Sequence, residues 1–287
     1  MLRFLIAACI FAFSSPVLAQ PHPAVGAVTD ISIRYETESR TVRDDHMLGP
    51  SSSSSSGSYS YVERVLEVGN AGVALEYALP EREGERPLVE WEFPVRALRA
   101  PDGTLSITNR EEMLARRDRF LRKAEIPKEA CGSYYFTWNF FQINCDPEAV
   151  LETVANLHLQ VDELAEGAMY SHDSALQSAP LELVSESPDG SRIYTASMIL
   201  DGDAILSERA EAARIIAEMM RQSGGPELPE ENFADDRVEG RLTVVLEGDA
   251  DGQVYTRREL IELTHDDGEG SIERETREQV YERVRRH

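Results

Sequence analysis

The sequence predicts an α+β fold built mostly on antiparallel β-sheet, an open sheet or half-barrel, with about three inserted helices. Apolar and polar residues alternate with the two-residue period of half-buried strands at Ile31–Tyr35, Val73–Leu79 and Val89–Val95. Most of these stretches connect through short turn signals, so an alternating βαβ chain is excluded. Helical periodicity is confined to a few segments between them.

The 287 residues include 52 acids against 29 Lys plus Arg, a net charge of -23. Such a charge excludes a duplex nucleic-acid partner, whose binding depends on Lys and Arg displacing phosphate counterions. Residues 1–19 have the form of a secretory signal: Arg3 in a short basic start, an apolar run Phe4–Phe13, and Val17-Leu18-Ala19 before Gln20. The run is too short to span a bilayer as a helix. Ile6-Ala7-Ala8-Cys9 looks like a lipid-attachment box but sits too early, with apolar residues continuing past the cysteine. The expectation is one exported α+β domain over 20–287, or two lobes at 28–156 and 180–287, periplasmic or extracellular and without a transmembrane anchor.

Removal of the signal takes Cys9 away and leaves Cys131 and Cys145, which are expected to pair in an oxidising compartment. After the first strand, Gly49-Pro50, Ser51–Ser56 and Gly57 read as a Ser-rich mobile loop over 49–58. Strands resume at Tyr59–Val68, turn at Gly69-Asn70 and continue to Leu79. Val89–Val95 reads as a further strand, with Pro94 placing it at an edge or bulge. Pro101-Asp102-Gly103 turns into a short strand, Thr104–Ile107.

Thr108 and Glu111 form a capping box for a helix running to about Ala124. A second helix opens at Asp146-Pro147-Glu148, with Asp as cap and Pro at its first position. Pro188-Asp189-Gly190 joins Leu181–Glu186 to Arg192–Leu200 as a hairpin. Ser207 reads as the cap of a third helix carrying Ile215, Ile216, Met219 and Met220. Leu242–Glu247, Val254–Leu263 and Ile272–Val284 form a closing meander, the last of them charged enough to read equally as helix. Pro188–Tyr194 resembles the turn of the Pro-Asp-Gly propeller repeat of periplasmic translocation proteins. It does not recur at blade length, so a turn explains it.

Three constellations carry chemical interest. Tyr134, Tyr135, Phe136, Trp138, Phe140 and Phe141 crowd the segment between the two cysteines. They read as a strand buried on both faces or as the lining of an apolar or sugar site, with Tyr134, Phe136, Trp138 and Phe140 as candidate ligand contacts. Arg116, Arg119, Arg122 and Lys123 are a candidate anion patch on the first helix, against the simpler reading that bases complement the end of a helix dipole. Glu247–Val254 resembles half of a calcium loop, with Asp249 and Asp251 as candidate ligands for weak Ca2+. Arg258 stands where the bidentate acid belongs, which favours an acidic turn.

No nucleophile elbow, HExxH or P-loop is present, and no catalytic residue is nominated. The functional expectation is therefore an exported, non-enzymatic binding or accessory protein of the cell envelope, with an envelope partner or a small apolar ligand and no cofactor. The alternatives are a secreted hydrolase with two carboxylates near Trp91 or Trp138, and a calcium-binding structural or adhesive module.

Overall fold

The computed structural model describes residues 23–43, 50–81, 91–132, 134–136, 140–159, 161, 163–222, 233 and 235–286. The expected signal at 1–19 lies outside them. The N-terminal strands are β1 (Val28–Arg43), β2 (Ser51–Gly69), β3 (Gly72–Ala78), β4 (Val95–Arg99) and β5 (Leu105–Ile107). The C-terminal ones are β10 (Glu182–Glu186), β11 (Arg192–Ile199), β12 (Arg237–Gly248), β13 (Val254–Asp266) and β14 (Ser271–Arg285). Together they make one ten-stranded sheet in the order β10-β11-β12-β13-β14-β1-β2-β3-β4-β5, antiparallel throughout. The sheet is open, and each half is a simple meander. The last strand lies against the first, so β14 and β1 pair over their lengths from Thr29↔Arg285 to Arg43↔Ser271.

Alternation puts Ile31 and Ile33, Leu75 and Tyr77, Val244 and Leu246 on one inner face, all buried. Helices α1 (Arg110–Lys123) and α2 (Ala149–Asn156) contribute Met113, Val150 and Val154 to the same core. The third helix, α3 (Gly202–Gln222), adds Ile205 at its rim. Two small antiparallel pairs stand apart: β6 (Tyr134–Phe136) with β7 (Phe140–Gln142), and β8 (Met169–Tyr170) with β9 (Ala179–Pro180).

The Ser-rich segment is not a loop. Ser51–Ser56 belong to β2 and pair with Thr41–Glu36 of β1. Ladder bonds are made by the backbone, and β1 supplies the template, so the run needs no hydrophobic pattern of its own. Gly57 lies opposite Tyr35, whose hydroxyl would stand 2.3 Å from any Cβ there; the glycine lets the ring cross the strand and stack on Tyr59 at 5.9 Å.

Three caps differ from expectation: α2 starts at Ala149 with Glu148 at its N-cap position, and Asp146 Oδ1 accepts the Glu148 N–H ahead of it. Asn109, not Thr108, precedes α1, and its side chain serves the sheet: Oδ1 accepts from the Arg96 N–H at 2.9 Å and Nδ2 donates to the Pro94 carbonyl at 3.1 Å. Thr108 Oγ1 donates to the Arg96 carbonyl. The third helix starts at Gly202, five residues before Ser207, because Asp201 Oδ1 accepts the Ala204 N–H at 3.0 Å. Strand pairing near Pro94 starts only at Val95, with Trp91 and Phe93 buried ahead of it. Tyr134–Phe136 and Phe140–Gln142 are two antiparallel strands with Phe136 opposite Phe140.

Candidate functional site

Strand β14 inverts the usual pattern. Its inward positions are Glu273, Glu275, Arg277, Gln279, Tyr281 and Arg283, while Ile272 and Val284 face out and are 40% and 62% exposed. A polar stripe therefore runs up the middle of the inner face, and three sites are built along it.

At its centre is a crevice of about 430 Å³. The sheet supplies Arg257, Glu259, Arg277, Gln279 and Tyr281, brought together by the register Arg257↔Tyr281 and Glu259↔Gln279. The covering side supplies Asn156 from the end of α2, together with Tyr170, Ser171, His172, Asp173 and Ser174. The Arg257 guanidinium lies 4.2 Å over the Tyr281 ring. Its Nε is 3.0 Å from Glu259 Oε1 but misaligned, so a charge contact forms and the buried N–H has no hydrogen-bond acceptor. Burial pushes the Tyr170 and Tyr281 hydroxyls above the ordinary phenol range, and Glu259 adds to the effect. Both stay neutral donors. The Ser174 N–H donates to His172 Nδ1 at 3.1 Å, so Nε2 carries the ring proton, 3.8 Å from Glu259 Oε1.

Beside it, Glu63 of β2 is 6% exposed. Its Oε1 accepts from Arg283 at 2.6 Å, and Oε2 is 3.8 Å from Arg99, which also donates to the Tyr77 hydroxyl at 2.9 Å. Burial raises the Glu63 pKa, but Arg283 and Arg99 together outweigh it and hold the carboxyl below its ordinary range. Burial and Glu63 push Tyr77 well above the phenol range. Arg283 also donates to the Leu157 carbonyl at 2.7 Å, fixing the end of α2 to the sheet.

At the other end, Arg209 of α3 donates to Glu273 at 3.0 Å, to Glu275 at 3.3 Å and to His265 Nδ1 at 2.9 Å. A guanidinium only donates, so Nδ1 accepts and Nε2–H donates to Asp236 at 2.7 Å. This set clamps α3 to the sheet.

The sequence-derived candidates fall elsewhere. Cys131 and Cys145 form the expected disulfide, with a Cα–Cα distance of 5.5 Å. Tyr134 and Phe136 lie on β6 and Phe140 on β7. Trp138 lies outside the described residues. On α1, Arg116 is engaged by the Trp91 and Pro94 carbonyls and by Glu112, whereas Arg119, Arg122 and Lys123 are exposed. Asp249 Oδ1 accepts the Asp251 and Gln253 N–H groups, which closes its own turn. Among the described residues no cluster of three or more His, Cys, Asp or Glu is placed to hold a metal ion. Glu92, beside Trp91, is pushed up to about 7 by burial alone, with no second carboxylate contributing.

Sequence reading missed Arg257, Gln279 and Tyr281. The available signal was the alternation across 272–284, where the polar residues occupy the positions that face the core.

No family model matches the chain, and no curated protein matches it in sequence. Among solved structures, the chain is similar to lipovitellin, from a study of its lipid–protein interactions, with a TM-score of 0.38 and 10% identity over 92% of this chain. It spans only 25% of the lipovitellin chain's length. It is also similar to Ail, the attachment invasion locus protein of Yersinia pestis, with a TM-score of 0.20 and 7% identity over 91% of this chain and 100% of that one. Neither likeness bears on function.

Proposed function

We propose that the chain is an exported, non-enzymatic binding protein of the cell envelope, and that the inner-face crevice takes a small neutral polyhydroxylated ligand of the saccharide class. The observation that carries the reading is how the crevice distributes its charge. Arg257 faces Glu259 and Arg277 contacts Glu275, so both arginines are compensated from within. Besides these pairs Asp173 adds one acid, and Asn156, Ser171, Ser174 and Gln279 add neutral donors and acceptors, a set suited to hydroxyl groups. Export is supported by the signal-like N-terminus and by the disulfide. No helix among the described residues is long and apolar enough to cross a membrane.

An apolar ligand would instead draw on Tyr134, Phe136, Trp138 and Phe140. Native mass spectrometry of the purified protein separates the two readings: retained lipid-like mass supports the apolar ligand. The bare polypeptide mass, together with saccharide binding that Gln279→Ala abolishes, supports the polar crevice.

A further inference from the structure

The opposite, outer face of the same central strands carries a second site. In the β1–β14 register Arg40 is directly opposite Arg274, and on its other side Arg40 is opposite Ser52 of β2. Like charges placed directly across a ladder oppose pairing. Two residues along, Glu38 is opposite Thr276; four residues along, Glu36 is opposite Glu278, a second like-charged pair, and there Arg258 of β13 contacts Glu278. The arginine pair has no such relief among the described residues. Among the described residues neither guanidinium has an ion pair or a hydrogen bond, and Glu38, on the same face of β1, is in ion-pair range of neither.

The two arginines border a recess of about 480 Å³ that Ser52, Ser54, Thr276 and Glu38 also line. Cross-strand neighbours have Cα atoms about 5 Å apart, so both guanidinium forks can converge on one tetrahedral group. A phosphate-class oxyanion would relieve the repulsion, accept paired N–H donors from each fork, and take further donors from the serine and threonine hydroxyls. The recess is lined by two arginines against one acid, Glu38, and so is net positive in a chain of net charge -23.

We infer that Arg40 and Arg274, with Ser52, Ser54 and Thr276, form a binding site for a phosphate-class oxyanion on the outer face of the sheet. The site is separate from the inner crevice and stands whether or not that crevice binds saccharides. It also accounts for the serine run as a strand: short hydroxyl side chains leave the recess open and line it with donors.

The test is calorimetric titration of the mature protein at low ionic strength. Inorganic phosphate is one arm, vesicles of phosphatidylglycerol in phosphatidylcholine are a second, and chloride at matched ionic strength is the control. The expected result is saturable binding of phosphate, weakened about tenfold or more by Arg40→Gln or by Arg274→Gln. Binding to the vesicles alone with the same arginine dependence supports the same oxyanion chemistry, supplied by a lipid headgroup. Because both arginines are exposed, the variants should keep the wild-type circular dichroism. Their melting temperature without phosphate should equal or exceed that of the parent protein, since the repulsion is gone. Binding of neither phosphate nor vesicles, or binding unchanged in both variants, would overturn the proposal.

Discussion

Arg283 donates to Glu63 Oε1 at 2.6 Å across 220 residues of sequence. The bond joins β14 to β2 over the strand between them, in a site where Glu63 is almost fully buried. A charge in such a place is held by its partner rather than by water. Arg283→Gln should therefore cost about 3–5 kcal/mol in urea denaturation at pH 7, because it strands a buried carboxylate. The double variant Glu63→Leu with Arg283→Leu should recover most of that loss.

The same pair sets an acid limit. The folded pKa of Glu63 lies below its ordinary 4.5, so its contribution is fully present above the unfolded value. It is lost as pH falls through the folded one. Acid titration of stability should show this loss in the parent protein and not in Glu63→Gln.

Glu92 acts in the opposite sense. Burial raises it from 4.5 to about 7, so between those values the folded chain keeps a proton that the unfolded chain has released. Stability should fall as pH rises through this window and level off above it. Glu92→Gln should remove that slope. The gain at pH 8 has an upper bound of about 3 kcal/mol, lowered by the solvent that reaches the carboxyl.

The serine strand is open to amide exchange. Backbone N–H groups of Ser51–Ser56 that bond to β1 should exchange roughly tenfold or more slowly than those of the turn at 267–270. Gly57→Val should abolish that protection, since Tyr35 occupies the space a side chain needs, at a cost on the order of 2 kcal/mol.

The disulfide closes a short loop, with a sequence separation of 14. Replacing Cys131 and Cys145 together by serine should lower stability by about 3 kcal/mol in the chain-entropy picture, measurable as a fall in the urea midpoint.

Much of the fold was legible because its turns are chemically marked. Gly190, at φ 85°, closes the hairpin that Pro188-Asp189-Gly190 announces, and Asp249 closes its turn through its own side chain. Caps were harder. Asn109 and Asp201 compete with nearby Thr108 and Ser207, and what decides between them is a tertiary partner in one case and a strand end in the other. The serine run carries no side-chain pattern at all, since its register comes from β1. The polar stripe was the largest loss. In β14 the residues that face the core are the charged ones, so the hydrophobic period that identifies a strand is inverted and the segment resembles a charged helix. Such a strand is tied to neighbouring elements by ion pairs, Arg209 of α3 with Glu273 and Glu275 and Arg283 with Glu63 of β2, a pairing that sequence spacing does not reveal.

The most direct test of the proposed role is amide NMR of the purified protein titrated with a panel of mono- and disaccharides. The account predicts saturable shifts for one ligand class at Ser171, Ser174, Arg257 and Gln279, lost in Gln279→Ala. No shift with any saccharide, or the same shifts in Gln279→Ala as in the parent, would contradict it.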